Sequence, residues 1–147
     1  MTIDLTTRRP ATSDVARAVA GLAAGSAVVL IDDEADSGDV VFAASLATTT
    51  LSAFAIRHSS GFLEVALDAD ACRRLRLPAA SEDGGAQRVS VDLRGGGTGI
   101  SAADRATTIA ALADPERLHD AFTRPGPPRW PTAPSFSPSL PYTTSPR

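Results

Sequence analysis

The feature that most restricts this chain is a break in composition near residue 124. From there to Arg147 it reads RPGPPRWPTAPSFSPSLPYTTSPR, with eight of the 11 prolines and no carboxylate. Proline fixes φ and removes a backbone donor, so this stretch can form neither a helix nor an interior strand. Any packed core must come from the residues before it. A chain of 147 residues supports one such core and not two comfortable ones. We therefore expect one domain over residues 13–123, a flexible N-terminus over 1–12, and a disordered Pro/Ser-rich tail over 124–147. Trp130, Phe136 and Tyr142 are the tail's candidates for weak docking.

Within the body the hydrophobic periods alternate between helix and strand. SDVARAVAGLAAG sets Val15, Val19 and Leu22 on one helical face, with Ser13 as N-cap and Gly25 as stop. SAVVLI is a continuous apolar, β-branched run, the pattern of a buried strand. DVVFAA predicts a second strand, and TTTLSAFAIRHS a helix with Leu51, Phe54, Ala55 and His58 roughly aligned. GFLEVALD alternates as a strand does. DADACRRLRL predicts a short helix opened by an aspartate cap and ended before Pro78. SEDGGAQ is a polar turn, and RVSVDL is a cleanly alternating strand. GGGTGISAADRATTIAALAD is a glycine-rich turn into a helix, with Ser101 and Asp104 spaced as a capping-box-like pair. PERLHDAF adds a helical turn. Interleaved helices and strands predict a mixed, layered α+β fold.

Charge and cysteine content narrow the function classes. A net charge of -3 and a pI near 5.3 offer no general attraction to nucleic acid or an anionic membrane. All 14 basic residues are arginine, which reads as the codon bias of a GC-rich genome. Cys72 is the sole cysteine, so an intrachain disulfide and a cysteine-based metal site are excluded. The N-terminus lacks the apolar core of a signal peptide, and no run approaches a membrane span. The expected location is the cytoplasm.

The candidate chemistry sits in IDDEADSGDVVF, residues 31–42, where carboxylates crowd a loop between two strands. Such a loop is either a solvated turn or a holder for a divalent cation and a phosphorylated sugar. Hard cations take carboxylate oxygens, and a cation so held polarises adjacent oxygens of a ketose. The glycine run 95–97 leading to Thr98 and Ser101 reads either as a phosphate cradle at a helix N-terminus or as a turn with its N-cap. His58 reads as a structural histidine, His119 as a surface residue and Cys72 as an apolar filler.

Three segments in order carry a family resemblance: VVLIDDE with GDVVFAA, then IRHSSGFLEVAL with LPAA, then TGISAADRATTIAALAD trailed by RPG. Together they resemble 3,4-dihydroxy-2-butanone 4-phosphate synthase, over roughly residues 13–126. The family is a lyase of riboflavin biosynthesis that converts D-ribulose 5-phosphate to 3,4-dihydroxy-2-butanone 4-phosphate and formate. The resemblance implies an α+β fold with a mixed sheet layered between helices, a homodimer, and magnesium as cofactor. It implies metal binding by Glu34 or Asp36 and substrate binding by Asp39, to which the cradle reading of the glycine turn adds Thr98 and Ser101. Asp104 and Arg105 match the family motif, either as substrate contacts or as an ion pair.

The copy also departs from the family pattern. The family loop reads Asp-Asp-Glu-x-Arg-Glu-Asn-Glu-Gly-Asp, whereas Asp32 to Asp39 is two residues shorter and lacks the Arg-Glu pair. After Arg124-Pro125-Gly126 the family continues through a Gly-His-Thr-Glu segment, and this sequence continues with prolines. The expectation is a fold lacking the C-terminal part, with a tail that arose by frameshift or premature end. Activity is then impaired. The alternative expectation is a catalytically silent, truncated paralogue that binds a sugar phosphate or pairs as a homodimer or as a heterodimer with a full-length homologue. Neither reading involves nucleic acid or membrane.

Overall fold

A computed structural model of the chain describes residues 12–32, 34–81 and 85–124. The expected flexible N-terminus up to residue 11 and the proline-rich tail from residue 125 lie outside the described residues. So do Asp33 and residues 82–84 of the polar turn. Helix α1 spans Thr12–Ala23 and ends against Gly25, whose φ of +78° suits glycine. Strands β1 (Val28–Asp32) and β2 (Ser37–Val41) form an antiparallel hairpin that sets Leu30 opposite Asp39 and Asp32 opposite Ser37. A 3-10 turn at Ala44–Leu46 leads to α2, Thr49–His58, where the Thr48 hydroxyl accepts the Leu51 amide at 3.2 Å.

Helix α3, Ala69–Arg74, opens on Asp68, whose carboxylate accepts the Ala71 amide at 2.7 Å. Its chain leaves through Arg76 at φ +51°, before Pro78. Strand β3 (Asp92–Leu93) pairs antiparallel with β4 (Phe122–Thr123), and α4 (Ala102–Ala113) lies between them in sequence. Ser101 caps α4 by accepting the Asp104 amide at 3.0 Å. PERLHDAF gives a 3-10 turn at His119–Ala121 and runs directly into β4. The architecture is α+β, with two small antiparallel sheets beside packed helices.

The core lies where α2 packs on α4. Ala55, Leu63, Val65, Leu75, Leu77, Val91, Ile109, Leu112 and Phe122 form one buried cluster. Thr108 is buried with them and its hydroxyl accepts the Leu93 amide at 3.2 Å, pinning β3 to α4. Arg94 fastens the same region from outside, donating its Nε to the Asp120 carbonyl at 3.1 Å. Among the described residues no helix is long and apolar enough to cross a membrane.

Several expectations need correction. SAVVLI forms β1 but is not buried: Val29, Leu30 and Ile31 are 62%, 53% and 59% exposed, because only β2 pairs with this strand among the described residues. The face of α1 read as core-directed is also bare, with Val15 and Val19 exposed. GFLEVALD keeps its alternation, with Leu63 and Val65 buried, yet residues 63–67 join no ladder among the described residues. RVSVDL makes one isolated bridge, Arg88 to Ala79, and yields only the two residues of β3. A strand needs a neighbour, and its own pattern cannot supply one. His58 is exposed and stacks on Phe54 with ring centroids 4.6 Å apart, rather than being held by hydrogen bonds in the core.

Candidate functional site

The acidic hairpin and the glycine turn hold the candidate groups. At the hairpin tip Asp32 is committed to its own backbone: its Oδ1 accepts the amides of Glu34 (3.0 Å) and Ala35 (3.1 Å). The chain then turns through Asp36 at φ +49°, a left-handed conformation that aspartate tolerates better than most residues. Glu34 and Asp36, the expected metal ligands, both stand exposed on this turn. The bland reading of the loop, a solvated turn, describes its tip.

Asp39 is different. It lies on β2, half-buried, and its Oδ1 is shut off from solvent without a hydrogen-bond partner among the described groups. Burial raises its pKa, and the nearby Asp32 charge raises it further. Glu64, half-buried on the extended segment after α2, is raised first by burial and then by the Asp39 charge. The hairpin thus brings Asp32, Asp39 and Glu64 into one electrostatic neighbourhood. Sequence reading passed over Glu64. Its signal was the alternation of Leu63 and Val65, which turns Glu64 to the opposite side from the core.

The glycine turn is built around two other carboxylates. Gly97 donates its amide to Asp104 Oδ1 at 3.2 Å, and a Cβ there would fall 2.7 Å from Oδ2. Gly99, at φ +73°, lies so close to Asp92 that a Cβ would sit 2.6 Å from the carboxylate carbon. Asp92 is raised by burial and by Asp104, and partly restored by Arg105. Arg105 is itself lowered by burial, opposed by Asp92. Its guanidinium donates to the Gly61 carbonyl at 3.1 Å and to the Ile100 carbonyl at 3.2 Å, so it ties α4 to the loop after α2.

Between Asp92, Asp104, Thr107 and Thr108 lies a cavity of about 50 Å³. That is room for a water molecule or two and not for a sugar phosphate. Thr98 is exposed on the turn, and the Ser101 hydroxyl, already an acceptor for the helix, keeps its proton and one lone pair for a ligand. The two groups of candidates, Glu34, Asp36 and Asp39 on one hairpin and Thr98 and Ser101 on the other turn, sit on separate elements.

Magnesium demands near-octahedral oxygen ligation. Asp39 Oδ1 has the right donor chemistry and lacks a competing bond. Asp32 Oδ1 is already engaged by two amides, however, and Glu34 and Asp36 are on the solvent side of the turn. Among the described residues no group of three or more His, Cys, Asp and Glu side chains gathers to hold a metal. The described residues therefore do not fit the ion unaided.

Comparison with known proteins places this geometry. The sequence model for 3,4-dihydroxy-2-butanone 4-phosphate synthase matches residues 16–127. The riboflavin biosynthesis protein RibBA of Rhodococcus erythropolis is 53% identical over 120 residues, covering 76% of this chain and 28% of the relative. The solved 3,4-dihydroxy-2-butanone 4-phosphate synthase of Candida albicans superposes with a TM-score of 0.71 at 36% identity, over 76% of this chain and 58% of that one. A synthase structure in complex with two magnesium ions gives 0.70 at 36% identity, covering 76% and 56%. This chain thus spans little over a quarter of the curated relative, and just over half of these two solved synthases.

Proposed function

Because the chain belongs to the 3,4-dihydroxy-2-butanone 4-phosphate synthase family, we propose that it recognises a ketose phosphate of the D-ribulose 5-phosphate type at its acidic hairpin and turns it over poorly. The expected products are 3,4-dihydroxy-2-butanone 4-phosphate and formate. The observation that carries this reading is Asp39: a matched family position, on a strand, with a carboxylate oxygen that has no hydrogen-bond partner among the described residues. A substrate hydroxyl would supply the missing donor.

The residues suggest a division of labour. Asp39 grips a hydroxyl of the sugar. Glu64, its pKa pushed upward, is placed to hold a proton that the rearrangement needs to move. Among the described residues of the shortened turn, Glu34 and Asp36 are the candidates to hold magnesium and both face solvent, which is the reason to expect slow chemistry.

Titration calorimetry with ribulose 5-phosphate tests the recognition half. The full chain should bind the sugar phosphate, and Asp39→Asn should weaken that binding at least about tenfold by replacing the acceptor with an amide. Equal affinity in the two proteins would refute the assignment. A second reading, a silent paralogue acting as a pairing module, is favoured by one observation: the bare apolar surface of β1.

A further inference from the structure

Asp39 has a neighbour in the same condition. Leu63 and Val65 are buried, so the core fixes the backbone on both sides of Glu64 and sends its side chain to the other face. Strand β2 leans on that same core through Val40, the residue after Asp39. Two firmly held backbones thus set a pair of half-buried carboxylates near enough that the Asp39 charge acts on Glu64. No cation answers them. Burial and other carboxylates are what act on the pair, and the ion pairs of the described residues lie on α1, on α3 and just after α4. Residues 28–42 and 59–67, which carry the two groups, contain no basic side chain.

A ligand group that enters this neighbourhood has to donate protons and carry no negative charge. A sugar hydroxyl meets both conditions, and its bond to a carboxylate is charge-assisted and correspondingly strong. A phosphate dianion brings acceptors and further negative charge, and is repelled. We infer that Glu64 is a specificity-determining residue: with Asp39 it takes two adjacent hydroxyls of the sugar, one on each carboxylate, and leaves the phosphate outside the pair. The inference rests on the ketose reading above and adds to it a second gripping residue and a ligand class, the vicinal diol. The grip also agrees with the proton-holding role of Glu64, since a carboxylate bonded to a sugar hydroxyl is in reach of that hydroxyl's proton.

The test titrates the full 147-residue chain by calorimetry, near neutral pH and without Mg²⁺, with D-ribulose 5-phosphate, D-ribulose, dihydroxyacetone phosphate and inorganic phosphate. D-ribulose should bind within about threefold of its phosphate ester, because the pair reads hydroxyls. Dihydroxyacetone phosphate keeps the ketone and the phosphate but has no adjacent hydroxyls, so it should bind at least about tenfold more weakly, as should inorganic phosphate. Glu64→Gln should weaken both pentoses by one common factor, at least about tenfold. Its melting temperature should hold or rise, since the substitution removes a half-buried charge, which separates lost grip from lost fold. Dihydroxyacetone phosphate binding as tightly as ribulose 5-phosphate overturns the proposal and leaves the ketose reading standing. So does a Glu64→Gln protein that binds like the parent while Asp39→Asn does not. Ribulose 5-phosphate binding that is absent, or that neither substitution weakens, overturns both.

Discussion

Asp39 shows how a single carboxylate can be both a stability cost and a binding handle. Its pKa is raised by burial and by Asp32, so the folded protein holds that proton more readily than the unfolded chain does. Native stability then falls as pH climbs from the ordinary carboxylate value, about 4, through the raised one. Asp39→Asn should accordingly raise the melting temperature at neutral pH and flatten its decline between the two values. Glu64→Gln should act in the same direction. A melting profile steeper in the variants than in the parent would contradict the assigned cause. Gly99 is the second decisive residue. Its φ is positive and the Asp92 carboxylate occupies the space of a side chain, so Gly99→Ala should cost about 1–3 kcal/mol in denaturant unfolding. Gly85→Ala, where a Cβ would meet only Ser81 Oγ at 3.8 Å among the described residues, serves as the control.

At the scale of elements, what was legible from the sequence follows the range of the interactions. Helices α3 and α4 begin where Asp68 and Ser101 place an acceptor three residues before an amide, and that chemistry is local. Ser101→Ala should therefore lower stability by about 1 kcal/mol, measured by urea unfolding. Strands were less legible. The alternating residues Leu63, Val65 and Val91 of GFLEVALD and RVSVDL are buried, but the strand pairing expected of both segments depends on partners far away in the chain. β1 failed in the opposite sense: its pattern demands burial that the described residues do not provide. The site was legible in the same partial way. The acidic loop and Asp39 stand out in sequence, whereas Glu64 and Asp92 matter because of what folds against them.

For the whole molecule, a modest core carries the fold. Leu112 and Leu75 are almost fully enclosed at the α2–α4 junction, and Leu112→Ala should cost about 2–5 kcal/mol. Against a typical domain stability of about 5–15 kcal/mol, that loss is expected to broaden or abolish the thermal transition. The same molecule exposes an apolar strand among the described residues and presents an acidic hairpin on which Asp39 is half-buried while Glu34 and Asp36 face solvent. Family membership is established by sequence and fold alike, while the matched region is only part of the relatives' length. The central claim is that this hairpin recognises a ketose phosphate without assembling an efficient magnesium centre. Formate release from D-ribulose 5-phosphate by the purified chain, with and without Mg²⁺, tests it most directly. The account predicts release at least about 100-fold below that of the Candida albicans synthase, with little response to the ion. Rapid formate release that depends on Mg²⁺ would contradict it.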